Sequence, residues 1–238
     1  MGRRAAENIL RVLSWGIDLL FPPRCVFCGK IVPPGKKVCP ECAAEILPPG
    51  GAACCISIPA GKGQVLCTYL FPYEGRVRDS ILNFKFHGQT ENASYYAEHL
   101  AAQTAVAFPR EIFDAVACVP LSRKSERERG YNQAELIARA LAKTLEIPFL
   151  PCLKKTGENK VQHFLSRSER LRNVRGVYAL SGKGPVAGKK FLLVDDVLTT
   201  GSTVGECASV LLKGGAGSVC CAAVAKAGIN QVEKDRSL

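Results

Sequence analysis

Residues 191–203 read FLLVDDVLTTGST, an apolar run that delivers two adjacent carboxylates, Asp195 and Asp196, into a short turn of hydroxyls and glycine. Carboxylate oxygens accept hydrogen bonds in pairs, so these acids suit a vicinal diol such as the 2′,3′ hydroxyls of a ribose. Thr199, Thr200, Ser202 and Thr203 add hydroxyl donors beside backbone N–H groups, and Gly201 lets the chain curl closely around a phosphate. A helix opening at this turn aims its positive end at the same anion. Other phosphate loops are excluded by spelling. No GxxxxGK[ST] follows a strand and no GxGxxG opens a helix, while the loosely similar GPVAGKK at 184–190 precedes the apolar run. The plain alternative for the acid pair is a solvated strand end before a capped helix.

A second group of chemistry-bearing residues lies near the N-terminus. Cys25-x-x-Cys28 and Cys39-x-x-Cys42 form two pairs at the spacing of a tetrahedral four-thiolate Zn2+ site, and Gly29 suits the tight knuckle after the first pair. A redox dithiol is the alternative, but neither pair opens a helix in a βαβ pattern. Cys118, Cys152, Cys207, Cys220 and Cys221 lie in apolar stretches or at loop edges and read as small packing residues. His87, His99 and His163 show no ligand spacing with one another.

Basic residues supply the third group. The chain carries a formal net charge of +11, and residues 123–175, with 13 Lys/Arg against 6 Asp/Glu, hold most of it. In the polar, turn-like segment SRKSERERGY, Arg123, Lys124, Arg127 and Arg129 have the charge to clamp a pyrophosphate leaving group, the alternative being a solvated face. An excess of this kind favours anionic partners, whether phosphates or nucleic acid.

These groups need elements to hold them. A chain of 238 residues with 47% hydrophobic content is long enough for one full core and a small appendage, and its composition excludes disorder. Residues 1–24 carry Leu10, Leu13, Ile17 and Leu20 at helical spacing, which predicts an amphipathic docking helix or a membrane-surface helix. Arg11 and Asp18 interrupt that run and no cleavage-site pattern follows, so it is not read as an export signal; no apolar run reaches a membrane span, and the expected compartment is a reducing cytoplasm. Residues 25–68 are Cys/Pro/Gly-rich, with too few periodic apolar residues for a core of their own.

From 69 to 228 helical patterns alternate with short apolar runs, the arrangement of a parallel sheet covered by helices, and 229–238 is a tail expected to fray. Strands are expected at 113–121, 177–180, 191–194 and 218–225. Helices are expected with Val77, Ile81 and Leu82 on one face, over 95–106, after Asn132 as N-cap with Leu136, Ala140 and Leu141 inward, and over 203–213 with Val204, Ala208 and Leu211 inward. Residues 152–175 read as a long loop.

The 191–203 segment resembles the phosphoribosyl-pyrophosphate motif of type I phosphoribosyltransferases. With ERERGYNQAELIARALA (126–142), LSRSERLRNVRGVYAL (165–180) and the cysteine module, most of the chain is similar to the ComF family of competence-linked, amidophosphoribosyltransferase-like proteins. The resemblance implies an α/β fold with a type I phosphoribosyltransferase-like parallel sheet flanked by helices and a small N-terminal four-cysteine zinc module. It also implies a ribose-diol role for Asp195 and Asp196, a 5′-phosphate role for residues 199–203, a pyrophosphate-contacting turn at Arg129, Gly130, Asn132 and Gln133, and a loop at 152–175 that closes over the ligand. Family members commonly carry two further CxxC pairs where this chain has only Cys54, Cys55 and Cys67.

Two functions stay open. One is a Mg2+-dependent phosphoribosyltransferase acting on an acceptor that no segment identifies. The other, ranked first, is a DNA-uptake factor that binds 5-phosphoribosyl 1-pyrophosphate and single-stranded DNA, with a competence helicase as the expected protein partner. Few aromatics accompany the basic residues; Tyr131, His163, Phe164 and Tyr178 are the stacking candidates.

Overall fold

The computed structural model describes residues 22–46, 54–157 and 176–228, in two compact units, Met1–Leu47 and Pro48–Leu238. The amphipathic segment 1–21, most of the expected closing loop and the tail lie outside the described residues.

The first unit is a pair of knuckles. An antiparallel bridge between Arg24 and Ile31 closes the first, with Cys25 N–H donating to the Lys30 carbonyl at 2.7 Å and Gly29, at φ 72°, donating to the Cys25 carbonyl at 2.9 Å. The second runs into the short helix α1 (Pro40–Glu45), where Cys39 is the N-cap residue and Pro40, which has no N–H to lose, stands at the start. Val26, Phe27 and Val32 are buried beneath the knuckles.

The second unit is built on a five-stranded sheet of order β1-β2-β7-β6-β3. Strands β2 (Gly63–Pro72), β7 (Ser218–Lys226), β6 (Lys190–Leu198) and β3 (Ala115–Cys118) run parallel, and β1 (Cys55–Ala60) pairs antiparallel with β2 at the edge. All nine β6 residues but the first are withdrawn from full exposure, and β7 is buried from Val219 to Ala225, the unbroken pattern of strands covered on both faces. Helices α3 (Asn92–Ala107) and α5 (Gln133–Thr144) pack on one another and against β2, β3 and β6. Helix α6 (Ser202–Lys213) packs against β1 and the small antiparallel pair β4 (Leu153–Lys155) and β5 (Tyr178–Leu180). Phe191 and Leu193 of β6 join the cluster of Val204, Ala208 and Leu211 from α6, so strand alternation turns Leu192 and Val194 to the other face. Helices α2 (Gly75–Phe86) and α4 (Arg123–Arg129) complete the unit.

The expected strands at 177–180, 191–194 and 218–225 and the helix over 203–213 are present with small shifts of boundary, as are the two helices that precede β3. Three local expectations are corrected, and residues 55–68 acquire a pairing that their composition did not announce. Residues 55–68, read with the cysteine module, form β1 and most of β2, because Val65–Phe71 is a strand-forming run that pairs with β7, more than 150 positions away in a register no local pattern reveals. The basic turn at 123–129 is a helix: Ser122 caps it by accepting from Ser125 N–H at 3.1 Å, and Gly130, left-handed at φ 81°, ends it. Leu153–Lys155, read as loop, is a strand. In α5 the buried face is Ile137, Ala138 and Leu141, with Leu136 and Ala140 only partly covered; the Asn132 cap is formed, but the Glu135 carboxylate holds Arg139 at 2.7 Å instead of returning a bond.

Candidate functional site

In the first unit the sulfur atoms of Cys25, Cys28, Cys39 and Cys42 all lie within 4.8 Å of one another, and Cys28 and Cys39 are 3.6 Å apart. Four thiolates about 2.3 Å from a shared Zn2+ require separations close to these. Burial works against ionising Cys25, but N–H groups of Cys39, Cys28 and Phe27 outweigh it and hold the thiol down to about 7, which favours the metal-ready thiolate. This is a four-cysteine zinc-binding cluster; among the described residues no other group of cysteines, histidines or acids has a metal-binding arrangement. Cys67 is instead a buried strand residue beside Cys221, and Cys118, Cys152, Cys207, Cys220 and Cys221 are buried as packing residues. His99 bonds the Tyr95 carbonyl and lies on the Tyr95 ring; His87 is exposed; His163 lies outside the described residues.

In the second unit the chemistry collects where parallel strands end. Asp195 and Asp196 stand near the end of β6, which runs on through Leu198, and as successive strand residues they project to opposite faces. Asp195 takes the parity of Leu193, toward α6; its Oδ1 accepts from Asp196 N–H at 2.9 Å. Burial, then the neighbouring Asp196 charge, push its carboxyl up to about 8, against the pull of Lys85 and of that N–H. Asp196 faces the other way and receives Lys85 Nζ on Oδ2 at 2.9 Å.

The turn after the acids is held from several sides. Thr200 and Ser202 hydroxyls bond each other at 2.6 Å, and Lys226 Nζ, from the end of β7, donates to the Thr199 carbonyl at 3.2 Å. Gly201 opens α6 at φ 76°, where no side chain caps the helix, and a Cβ there would stand 3.0 Å from Ile58. Four residues on, a Cβ at Gly205 would come within 2.1 Å of the Pro59 carbonyl oxygen, so the first turn of α6 sits directly on β1. At the head of α6 the Ser202 N–H donates to the Thr200 hydroxyl at 3.4 Å, and a helix N-terminus leaves further N–H groups without intrahelical partners beside the acid pair.

At the same edge, Val119 N–H donates to the Val194 carbonyl, so the chain leaving β3 emerges beside Asp195. Ser122, Arg123 and Lys124 then line a cleft of about 430 Å³ with Lys154, Lys155, Thr156 and Gly157. Arg127 is exposed and outside the lining; Arg129 is engaged elsewhere, bonding Gln133 Oε1 at 3.2 Å and lying 5.1 Å over the Phe86 ring. Asn132 and Gln133, which the resemblance assigns to ligand, are both buried: Asn132 donates to the Val119 carbonyl and Gln133 to that of Lys85. Lys85 and Lys226 were not singled out from sequence, whereas Lys154 and Lys155 belong to the basic segment expected to close over the ligand. A lysine in FKFHG has no motif, and only the fold brings Lys85 to Asp196 and Lys226 to the Thr199 carbonyl.

A parallel sheet that ends in an acid pair and a hydroxyl-rich turn opening a helix, behind a four-cysteine zinc module, defines a type I phosphoribosyltransferase-like protein. The phosphoribosyl transferase domain family matches residues 132–237 and the double zinc ribbon domain family residues 16–68. Over 217 residues the chain is 31% identical to the DNA utilization protein YhgH of Escherichia coli K12, covering 86% of this chain and 88% of that one. It is 27% identical over 209 residues to the competence protein ComFC of Bacillus subtilis, covering 79% and 84%. Among solved structures it is similar to adenine phosphoribosyltransferase from Saccharomyces cerevisiae, at 16% identity and a TM-score of 0.41, over 83% of this chain and 94% of that one. The chain belongs to the ComF family, with the double zinc ribbon and phosphoribosyltransferase modules of that family. Among the described residues no helix is long and apolar enough to cross a membrane.

Proposed function

We propose that the chain binds 5-phosphoribosyl 1-pyrophosphate, or a similar ribose phosphate, at the C-terminal edge of the sheet, and that it does so as a factor in the handling of single-stranded DNA. The observation that carries the ligand reading is the junction of β6 and α6: two carboxylates for a diol, followed at once by hydroxyls and N–H groups for a phosphate. Asp195 and Asp196 would hold the ribose hydroxyls, residues 199–203 the 5′-phosphate, and Arg123, Lys124, Lys154 and Lys155 a pyrophosphate in the adjoining cleft.

Hard oxygen donors at Asp195 and Asp196 suit Mg2+, which combines one or two carboxylates with phosphate oxygens. When bound, the ion would offset pyrophosphate charge. The chain's own residues hold the ribose phosphate in position and partly withdraw Asp195 from water. Phosphoribosyl transfer is the second reading, favoured by the paired acids and the basic cleft, which would stabilise pyrophosphate as it leaves. The DNA role rests on the names of the relatives and on the basic excess of 123–175.

Calorimetric titration with 5-phosphoribosyl 1-pyrophosphate, with and without Mg2+, tests the ligand reading. Asp196→Asn is expected to weaken binding by roughly 1.5–3 kcal/mol, the worth of a charged hydrogen bond. Unchanged affinity in Asp195→Asn and Asp196→Asn would reduce the motif to a structural relic. Single-stranded DNA binding is expected to be sequence-tolerant, with a log–log salt slope of about −0.7 per phosphate neutralised. Charge reversal at Arg167, Arg170 and Arg172 should flatten that slope while Asp196→Asn leaves it alone; an unchanged slope in the reversed variant would remove the basic segment from the DNA role.

A further inference from the structure

Lys85 is held in place with more care than a surface lysine needs. It stands in the last turn of α2, and its side chain and that of Asp196 are only 16% and 14% exposed. The backbone on either side is fastened by the segment that follows α4. The Tyr131 hydroxyl donates to the Phe84 carbonyl, Gln133 Nε2 donates to the Lys85 carbonyl at 3.4 Å, and the Arg129 guanidinium covers the Phe86 ring. Phe84 is fully buried, with its ring edge-on to Tyr96 at 5.9 Å. Three consecutive residues of α2 are thus pinned, and the one between the two aromatics reaches the acid pair. Exposed ion pairs contribute little because they must order two long side chains in water; here the packing has already ordered the lysine and excluded most of the water.

We propose that Lys85 is the internal counter-cation of the ribose site, a specificity-determining residue that lets two adjacent carboxylates accept a multiply charged ribose phosphate with less reliance on a divalent cation. The proposal rests on the reading of Asp195 and Asp196 as a diol site. Negative charge on the acid pair repels a pyrophosphate-bearing sugar, and an opposite charge at contact distance offsets that repulsion most strongly where water is excluded. The bond inventory allows both tasks at once. Lys85 takes one oxygen of Asp196 and the Asp196 N–H takes one oxygen of Asp195, so each carboxylate keeps its second oxygen for a hydroxyl of the diol. The GYNQ segment then acts through Lys85: Tyr131 and Gln133 are positioning residues for the lysine.

The experiment is calorimetric titration of the full-length zinc-loaded protein with 5-phosphoribosyl 1-pyrophosphate, in buffer without Mg2+ and at saturating Mg2+. Omitting Mg2+ is preferable to chelating it, because a chelator would also strip the cysteine site. Lys85→Met, which keeps the length of the side chain, is expected to bind at least about tenfold more weakly without Mg2+ and to recover most of that loss with it, since the bound cation supplies the missing charge. Lys85→Arg should retain the metal-free affinity. Lys85→Gln serves as a second neutral variant should the methionine protein fail to fold. An equal loss with and without Mg2+ would show a structural role only and overturn the proposal; unchanged or tighter metal-free binding would make Lys85 a plug and overturn it as well. If the wild-type protein bound no ribose pyrophosphate in either buffer, the diol reading would fail first and the counter-cation role with it, an outcome distinct from a wild-type site that binds without needing Lys85.

Discussion

Cys25, Cys28, Cys39 and Cys42 are gathered by two hairpin knuckles and one short helix, with only a few apolar residues buried beneath them. Asp195, Asp196 and Lys85 are gathered by the end of a central strand and the end of a remote helix, both anchored in a large core. The first site has ligands close in sequence and little packing, so the metal bond itself must supply the stability of the segment. The second has residues far apart in sequence and abundant packing, so its charges can be withdrawn from water and set against one another before any ligand arrives. A site whose fold depends on its ligand responds to loss of that ligand by unfolding; a site carried by a core responds by losing affinity.

The largest effect is expected where the ligand is the fold. Cys39→Ser should release the zinc and, with it, most of the roughly 10–16 kcal/mol that structural zinc contributes in small modules, while the main unfolding transition of the sheet unit stays in place. Metal analysis and calorimetric unfolding check this; a variant that kept full zinc would remove Cys39 from the ligand set.

Next comes the packing that carries the acid site. Gly205→Ala forces a Cβ to within 2.1 Å of the Pro59 carbonyl oxygen, so α6 must lift from β1. Overpacking of this kind costs about 1–3 kcal/mol, near the top of that range when the obstacle is backbone. The midpoint of thermal unfolding should fall by several degrees with zinc content unchanged, and a neutral substitution would show that the first turn of α6 can move freely.

The smallest effect is a pH dependence. Burial and the neighbouring charge raise the Asp195 carboxyl to about 8 in the folded chain. A group raised in the folded state stabilises it while protonated, so this contribution is fully present below the ordinary carboxyl pKa of about 4 and is lost as pH climbs toward 8. Asp195→Asn, a neutral mimic of the protonated acid, should flatten the decline in thermal midpoint across that window. An equally steep decline in the variant would assign it to another group.

The strand-turn-helix at 191–203 and the two CxxC pairs were legible because their chemistry is local: apolar residues, acids, hydroxyls and glycine follow one another within a single strand-to-helix connection, and cysteine spacing fixes a knuckle. The 123–129 helix was obscured by its charge, since SRKSERER has no apolar face and none of its residues is buried; its capping by Ser122 and Gly130 was the available signal. The pairing of 55–68 was hidden for a different reason, because strands are stabilised by partners and β2 finds its partner in β7.

By itself the sequence determined the chemical types present: four thiolates at zinc spacing, an acid pair, a phosphate-sized turn and a basic excess. Tertiary structure decided how they combine. Strand alternation sent Asp195 and Asp196 to opposite faces, the parallel order of β3 and β6 brought the basic cleft to the same edge, and the docking of Tyr131 and Gln133 on the end of α2 set Lys85 against Asp196. Such pairings depend on contacts between residues about 50 to 110 positions apart, and electrostatic strength depends on the burial those contacts create, so neither can be read from spacing along the chain.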